Sequence, residues 1–123
     1  GTVLLGTVKG DIHEIGKSLV GTMLSANGFK VHDLGVNVST DNFIQKVKEI
    51  NPDILGLSAL LTTTMTVQHE IIQELVKAGV RKNVKVMVGG APVTRSWSEE
   101  IGADGYAEDA LGAVQLARKL VGK

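Results

Sequence analysis

The residues with the clearest chemical capacity lie near the start of the chain, in Lys9-Gly10-Asp11-Ile12-His13-Glu14-Ile15-Gly16. A neutral imidazole such as that of His13 is a good ligand for a borderline transition metal. A carboxylate two residues earlier, Asp11, can accept the other ring N–H, which fixes the tautomer and raises the basicity of the ligating nitrogen. Gly16 presents no side chain, so a helix starting there can approach a bulky planar ligand closely. On the plainer alternative, His13 is a surface loop histidine and Asp11 a helix cap.

Two later stretches carry similar capacity. Leu57-Ser58-Ala59-Leu60-Leu61-Thr62-Thr63-Thr64 holds four hydroxyls that can donate to a polar group lodged beside a sheet. Capping of the next helix by Thr63 or Thr64 explains one of them, but Ser58 lies too early to cap anything. Gly89-Gly90-Ala91 is nearly free of side chains, so an aromatic ring system could lie against its backbone. An ordinary left-handed turn is the plainer alternative there.

The elements that must position these stretches follow from periodicity. Thr2 to Val8 is an apolar, branched run suited to a buried parallel strand. The segment from Gly16 to Asn27 places Leu19, Val20, Met23 and Leu24 at helical spacing, with Asn27-Gly28 as a stop. Lys30 to Leu34 reads as a second strand. Ser39 or Thr40 caps a helix with Phe43, Ile44, Val47 and Ile50 on one face. After the turn Asn51-Pro52-Asp53 come a strand from Ile54 to Ser58 and a helix from about Thr64 to Ala78, stopped by Gly79. A fourth strand spans Val84 to Val88, a short helix Pro92 to Ile101 and a fifth strand Gly105 to Ala107. Asp109 caps a last helix ending near Val121.

Five strands alternating with five helices predict an α/β fold: a doubly wound parallel sheet of flavodoxin-like (Rossmann-like) order 2-1-3-4-5. Ligands of such folds sit beyond the carboxyl ends of the strands, near the switch between strands one and three. The loops at that edge are the three stretches singled out above.

Bulk composition narrows the function classes. The 123 residues suit one domain. Lys plus Arg equals Asp plus Glu at 13 each, which argues against a nucleic-acid or anionic-membrane partner. The absence of cysteine removes disulfides and thiolate metal sites, and it suits a cytoplasmic protein. No apolar run reaches the roughly 18 residues of a membrane span. Gly1 leads straight into Val3, Leu4 and Leu5 without an initiator Met or charged leader, so the sequence reads as a piece of a longer chain.

Gly10 to Ser18 is similar to a phosphate-binding loop, but five residues rather than four separate its glycines. A dinucleotide fingerprint is missing. His32 and His69 fall away from the predicted site and read as structural or surface residues. Met23, Met65 and Met87 fit packing better than metal ligation. Trp97 suits a core or partner contact.

Taken together, Asp11-x-His13-x-x-Gly16, Ser58-x-Leu60 and Gly89-Gly90, in this order and spacing, resemble the corrinoid-binding domain of cobalamin-dependent methyltransferases across essentially the whole chain. The stretch Val8 to Lys17 is especially similar to methionine synthase and to the small corrinoid proteins of methanogens and acetogens. The resemblance implies that residues 1–123 form one cobalamin-binding domain and that the cofactor is cobalamin or a related corrinoid. It implies that the cofactor's own base leaves the cobalt and enters a slot beside the sheet, with His13 replacing it as lower ligand. Asp11 then hydrogen-bonds His13, and Thr64 completes a proton relay; a serine stands in place of Thr64 in methionine synthase. Gly10, Ile12, Glu14, Ile15 and Gly16 join them against the cofactor. Ser58, Leu60, Thr62, Thr64, Gly89, Gly90 and Ala91 line the site and its slot, and Tyr106 closes the far side. The family's upstream helical cap is not in this sequence.

The implied function is that of a methyl carrier, a component of an enzyme system rather than a complete enzyme. One partner methyltransferase loads methyl from a small donor and another passes it to an acceptor. Adenosylcobalamin isomerases and cobalamin-dependent sensors share the motif, but the sequence after Gly16 is closer to the methyl-transfer branch. A phosphoryl receiver of the same fold needs an Asp ending strand three and a Lys ending strand five. Ser58 and Glu108 stand at or beside those places, which rejects it.

Overall fold

The computed structural model describes residues 1–122. Its strands are β1 (Thr2–Thr7), β2 (Lys30–Asp33), β3 (Ile54–Ser58), β4 (Lys85–Gly89) and β5 (Gly105–Tyr106). Its helices are α1 (Ile15–Ala26), α2 (Thr40–Ile50), α3 (Thr62–Lys77), α4 (Arg95–Ile101) and α5 (Ala110–Leu120). The sheet is parallel throughout, in the order β2-β1-β3-β4-β5, as the alternation of elements predicts.

Parallel pairing with helices on both faces makes the central strands continuous apolar runs. Val3, Leu4, Ile54, Leu55 and Val86 are fully buried. Side chains alternate between faces. Leu4, Leu55, Leu57, Val86 and Val88 pack with Phe43, Ile71 and Leu75 from α2 and α3. Val3, Leu5, Ile54 and Met87 pack with Leu24 of α1 and with Ala113, Val114 and Ala117 of α5. Gly6 belongs to the first face, where a Cβ would lie 2.5 Å from the Phe43 ring. A side chain there would expel that ring from the sheet.

Local signals set the helix ends. Ser39 caps α2, its Oγ accepting from the Asn42 amide at 3.2 Å. Asp109 caps α5 by accepting from the Gly112 amide at 2.7 Å. Two helix starts and the exposure of one side chain differ from expectation. The fourth helix starts at Arg95 rather than Pro92, because the Val93 amide turns back to Gly90 O at 3.0 Å and Thr94 caps the helix. The third starts at Thr62, preceded by Leu61, so neither Thr63 nor Thr64 is its cap residue. Leu19, expected on the buried face of α1, is exposed.

Candidate cofactor site

The loops after β1, β3 and β4 meet at the carboxyl edge of the sheet. Asp11 is the centre of the arrangement and is completely buried. Its Oδ1 accepts from the His13 amide at 3.0 Å and lies 2.7 Å from His13 Nδ1. Its Oδ2 accepts from the Leu60 amide and from Thr64 Oγ1, each at 2.7 Å. Thr64 Oγ1 in turn accepts from the Leu61 amide at 3.3 Å. The structure therefore brings Asp11, His13, Leu60 and Thr64 together, and it gives Leu60 a part played by its backbone N–H.

The four hydrogen bonds decide the protonation of the pair. Burial alone would push the Asp11 carboxyl up; donation by Leu60, Thr64 and both N–H groups of His13 outweighs it and holds the value at about 2, below the usual 3.8. An ionised carboxylate only accepts, so His13 Nδ1 carries the proton. The neutral ring must then present Nε2 as a lone pair. Nε2 makes no hydrogen bond to a described residue, and the His13 side chain is 46% exposed. The result is an oriented imidazole offering one basic nitrogen outward.

The loop that carries the ring is framed by residues that the sequence reading did not single out. Thr7, fully buried, donates its hydroxyl to His13 O at 3.1 Å. Asn37 holds the backbone of Gly10 and Asp11. Lys17, buried at the start of α1, is ion-paired with Asp33 at the end of β2. These contacts couple segments distant in sequence, and no local spacing announces them.

Around this polar centre the surface is apolar. Ile12, Ile15, Leu19, Leu60, Leu61 and Leu111 are exposed, all on loops or early helical turns at this edge. A rim of that kind marks a binding surface. Leu19 and Leu111 entered the sequence reading only as parts of helices.

Ser58 and Gly89 are register partners, on the sheet face that α1 and α5 cover, and both are partly exposed. Thr62 and Ala91 are exposed beside them in sequence order. Gly90 has φ +130°, and a Cβ there would stand 1.7 Å from Ala59 O. The carbonyl of β3's loop fills the space beside Gly90, so this glycine serves the fold before it serves any ligand. Tyr106 pairs with Val88 and packs on the opposite face, with the α2–α4 cluster. The structure does not bring it to Ser58 and Gly89; Ala107 belongs to their face. Gly10 has φ +88°, Gly16 is the second residue of α1 with free space around it, and Glu14 precedes that helix without a side-chain cap.

Among the described residues there is no group of three or more His, Cys, Asp or Glu able to hold an ion. A single imidazole supplies one coordination position, so a metal held here must bring its remaining ligands with it. One outward nitrogen within an apolar rim fits a metal bound in a large ring. A groove of about 850 Å³ near Lys77, Arg81 and Lys85 lies at the other edge of the sheet and shares no residue with this site.

Fold and site thus define a doubly wound domain built to hold a ring-bound metal cofactor. The chain belongs to the B12 binding domain family, whose model matches residues 1–115. Its cofactor is cobalamin or a related corrinoid. The chain is 54% identical over 121 residues to dimethylamine corrinoid protein 1 of Methanosarcina acetivorans, covering 98% of this chain and 57% of that one. Among solved structures it is similar to the monomethylamine corrinoid protein of Methanosarcina barkeri, with TM-score 0.92 and 43% identity over 97% of this chain and 57% of that one. It is also similar to a chain of the methanol:cobalamin methyltransferase complex of the same species, with TM-score 0.92 and 33% identity over 100% of this chain and 47% of that one. The chain thus spans about half the length of the proteins it matches. No described helix is long and apolar enough to cross a membrane.

Proposed function

We propose that this domain carries a methyl group on its corrinoid between two partner methyltransferases, with His13 Nε2 as the lower ligand of cobalt and the cofactor's own base displaced. The observation that carries the reading is the 2.7 Å contact of the buried Asp11 carboxylate with His13 Nδ1, which leaves Nε2 as the ligating nitrogen. When bound, the corrinoid supplies a cobalt centre able to take up and release a methyl group.

The chain's own residues do the rest. His13 offers a lone pair whose basicity the Asp11 carboxylate raises. Thr64 and the Leu60 amide keep that carboxylate ionised, so the proton stays on Nδ1. His13 would hold the metal through Nε2 while the Asp11 carboxylate keeps Nδ1 as the donor. The apolar rim keeps water from the lower side. Ser58, Thr62, Gly89 and Gly90 form the mouth of the slot for the displaced base. The names of the relatives, corrinoid proteins for methylamines and a methanol:cobalamin methyltransferase complex, support a carrier meeting methyltransferases.

The test uses the corrinoid-loaded chain labelled with ¹⁵N-histidine. The cobalt(II) electron spin spectrum is expected to change its nitrogen splitting on labelling and to lose it in His13→Ala, with corrinoid retained. An unchanged splitting in the labelled protein overturns the ligand assignment. The same preparation, reduced, should take methyl from methyl iodide but turn over methylamines or methanol only after a methyltransferase is added. Multiple turnovers by the chain alone overturn the carrier role.

A further inference from the structure

We infer that Asn37, in the connection between β2 and α2, is a positioning residue that sets the His13 loop. Among the described residues, two non-glycine residues adopt the left-handed backbone, Asn37 and Asn51, each at φ 52°. Asn51 closes α2 in the usual manner of a helix end. Asn37 closes no helix. The disfavoured conformation at Asn37 instead lets one residue grip the ligand loop twice. Its amide donates to Asp11 O at 2.9 Å, and its Oδ1 accepts from the Gly10 amide at 2.8 Å.

The grip belongs to a larger frame. The connection from Asp33 to Val38 runs beside residues 7–17 and is tied to them repeatedly. The Thr7 amide donates to Gly35 O and the Val38 amide to Thr7 O, each at 3.0 Å, and Val8 bridges Val38. Asp33 accepts from the Gly35 amide and pairs with buried Lys17. On the other side, Ser58 of β3 accepts from the Val8 amide at 3.0 Å, and Leu60 and Thr64 hold the Asp11 carboxylate. The Asp11 side chain is thus fixed by one half of the sheet and its backbone by the other. Fixing both determines where the His13 ring stands, because His13 is anchored to Asp11 through its backbone amide and its ring Nδ1. Asn37 is itself exposed, so truncating it opens no cavity in the core.

The inference rests on the reading of His13 as cobalt ligand, and the test separates the two. Asn37→Asp keeps the acceptor and tolerates the backbone; Asn37→Gly keeps the backbone and removes the acceptor; Asn37→Ala removes both advantages. In the cofactor-free chain, the Gly10 amide should exchange with solvent roughly five-fold faster in Asn37→Gly and Asn37→Ala, as the loss of one hydrogen bond implies, and near the wild-type rate in Asn37→Asp. In the corrinoid-loaded, ¹⁵N-histidine-labelled chain, the ratio of histidine-ligated to unligated cobalt(II) should fall by a similar factor, roughly five-fold, in Asn37→Gly and Asn37→Ala, and recover in Asn37→Asp. An unchanged ratio beside accelerated Gly10 exchange overturns the positioning role alone, as does equal loss in Asn37→Asp. Wild-type protein without a histidine nitrogen overturns both readings. If Asn37→Ala does not fold, Asn37→Gly carries the same comparison.

Discussion

The two faces of the sheet are built differently. The face under α2, α3 and α4 holds sixteen buried hydrophobic residues, among them Phe43, Leu57, Ile71 and Leu75. The face under α1 and α5 holds nine, and two of those are alanines. Toward the carboxyl edge this second face carries Ser58 and Gly89, with Gly56 beneath them in the strand. Large residues make the first face a finished core. The second face ends in small residues at the carboxyl edge. The contrast separates a face filled by large side chains from one thinned toward the carboxyl edge.

Phe43→Ala should have the largest effect, because it removes a fully buried ring from the filled face and exposes the void above Gly6. A loss of about 3–5 kcal/mol is expected in urea unfolding of the cofactor-free chain. A loss under about 1 kcal/mol would erase the distinction between faces, since exposed surface sites change stability by only about 0.5 kcal/mol.

Asp11 joins the two halves and gives the next effect. Its carboxyl stands at about 2 in the folded chain against 3.8 unperturbed. The folded state therefore gains about 2 kcal/mol wherever both states are ionised. That gain is complete above about pH 4 and is lost as pH falls toward 2, where the unfolded chain has bound its proton first. Urea unfolding at pH 7 and at pH 2 should show wild type losing about 2 kcal/mol more than Asp11→Asn. Parallel losses in the two proteins would mean that Asp11 is not held ionised by its four donors.

The smallest effect on stability belongs to the ligand face. Ser58→Val adds volume at the mouth without touching the filled core. Stability of the cofactor-free chain should move by no more than about 0.5 kcal/mol, while corrinoid affinity falls by about 1–3 kcal/mol from overpacking. Fluorescence titration and thermal unfolding with and without corrinoid measure both, because the cofactor stabilises the state that binds it. Equal affinity in wild type and variant would move the slot away from Ser58.

The sequence by itself determined the elements, their order in the sheet and the pairing of Asp11 with His13. Hydrophobic period is a local property, and so is a contact between residues two apart, which a single turn suffices to form. The tertiary structure decided what that pairing can do. The bonds that keep Asp11 ionised come from Leu60 and Thr64, 49 and 53 residues away, and the grip on Gly10 comes from 27 residues away. It also decided the side of the sheet: Tyr106 follows strand alternation to the filled face, and Gly90 meets the carbonyl of Ala59. Spacing along a chain carries no information about which backbone donors fold back onto a carboxylate, because each of those contacts exists only after the strands have paired.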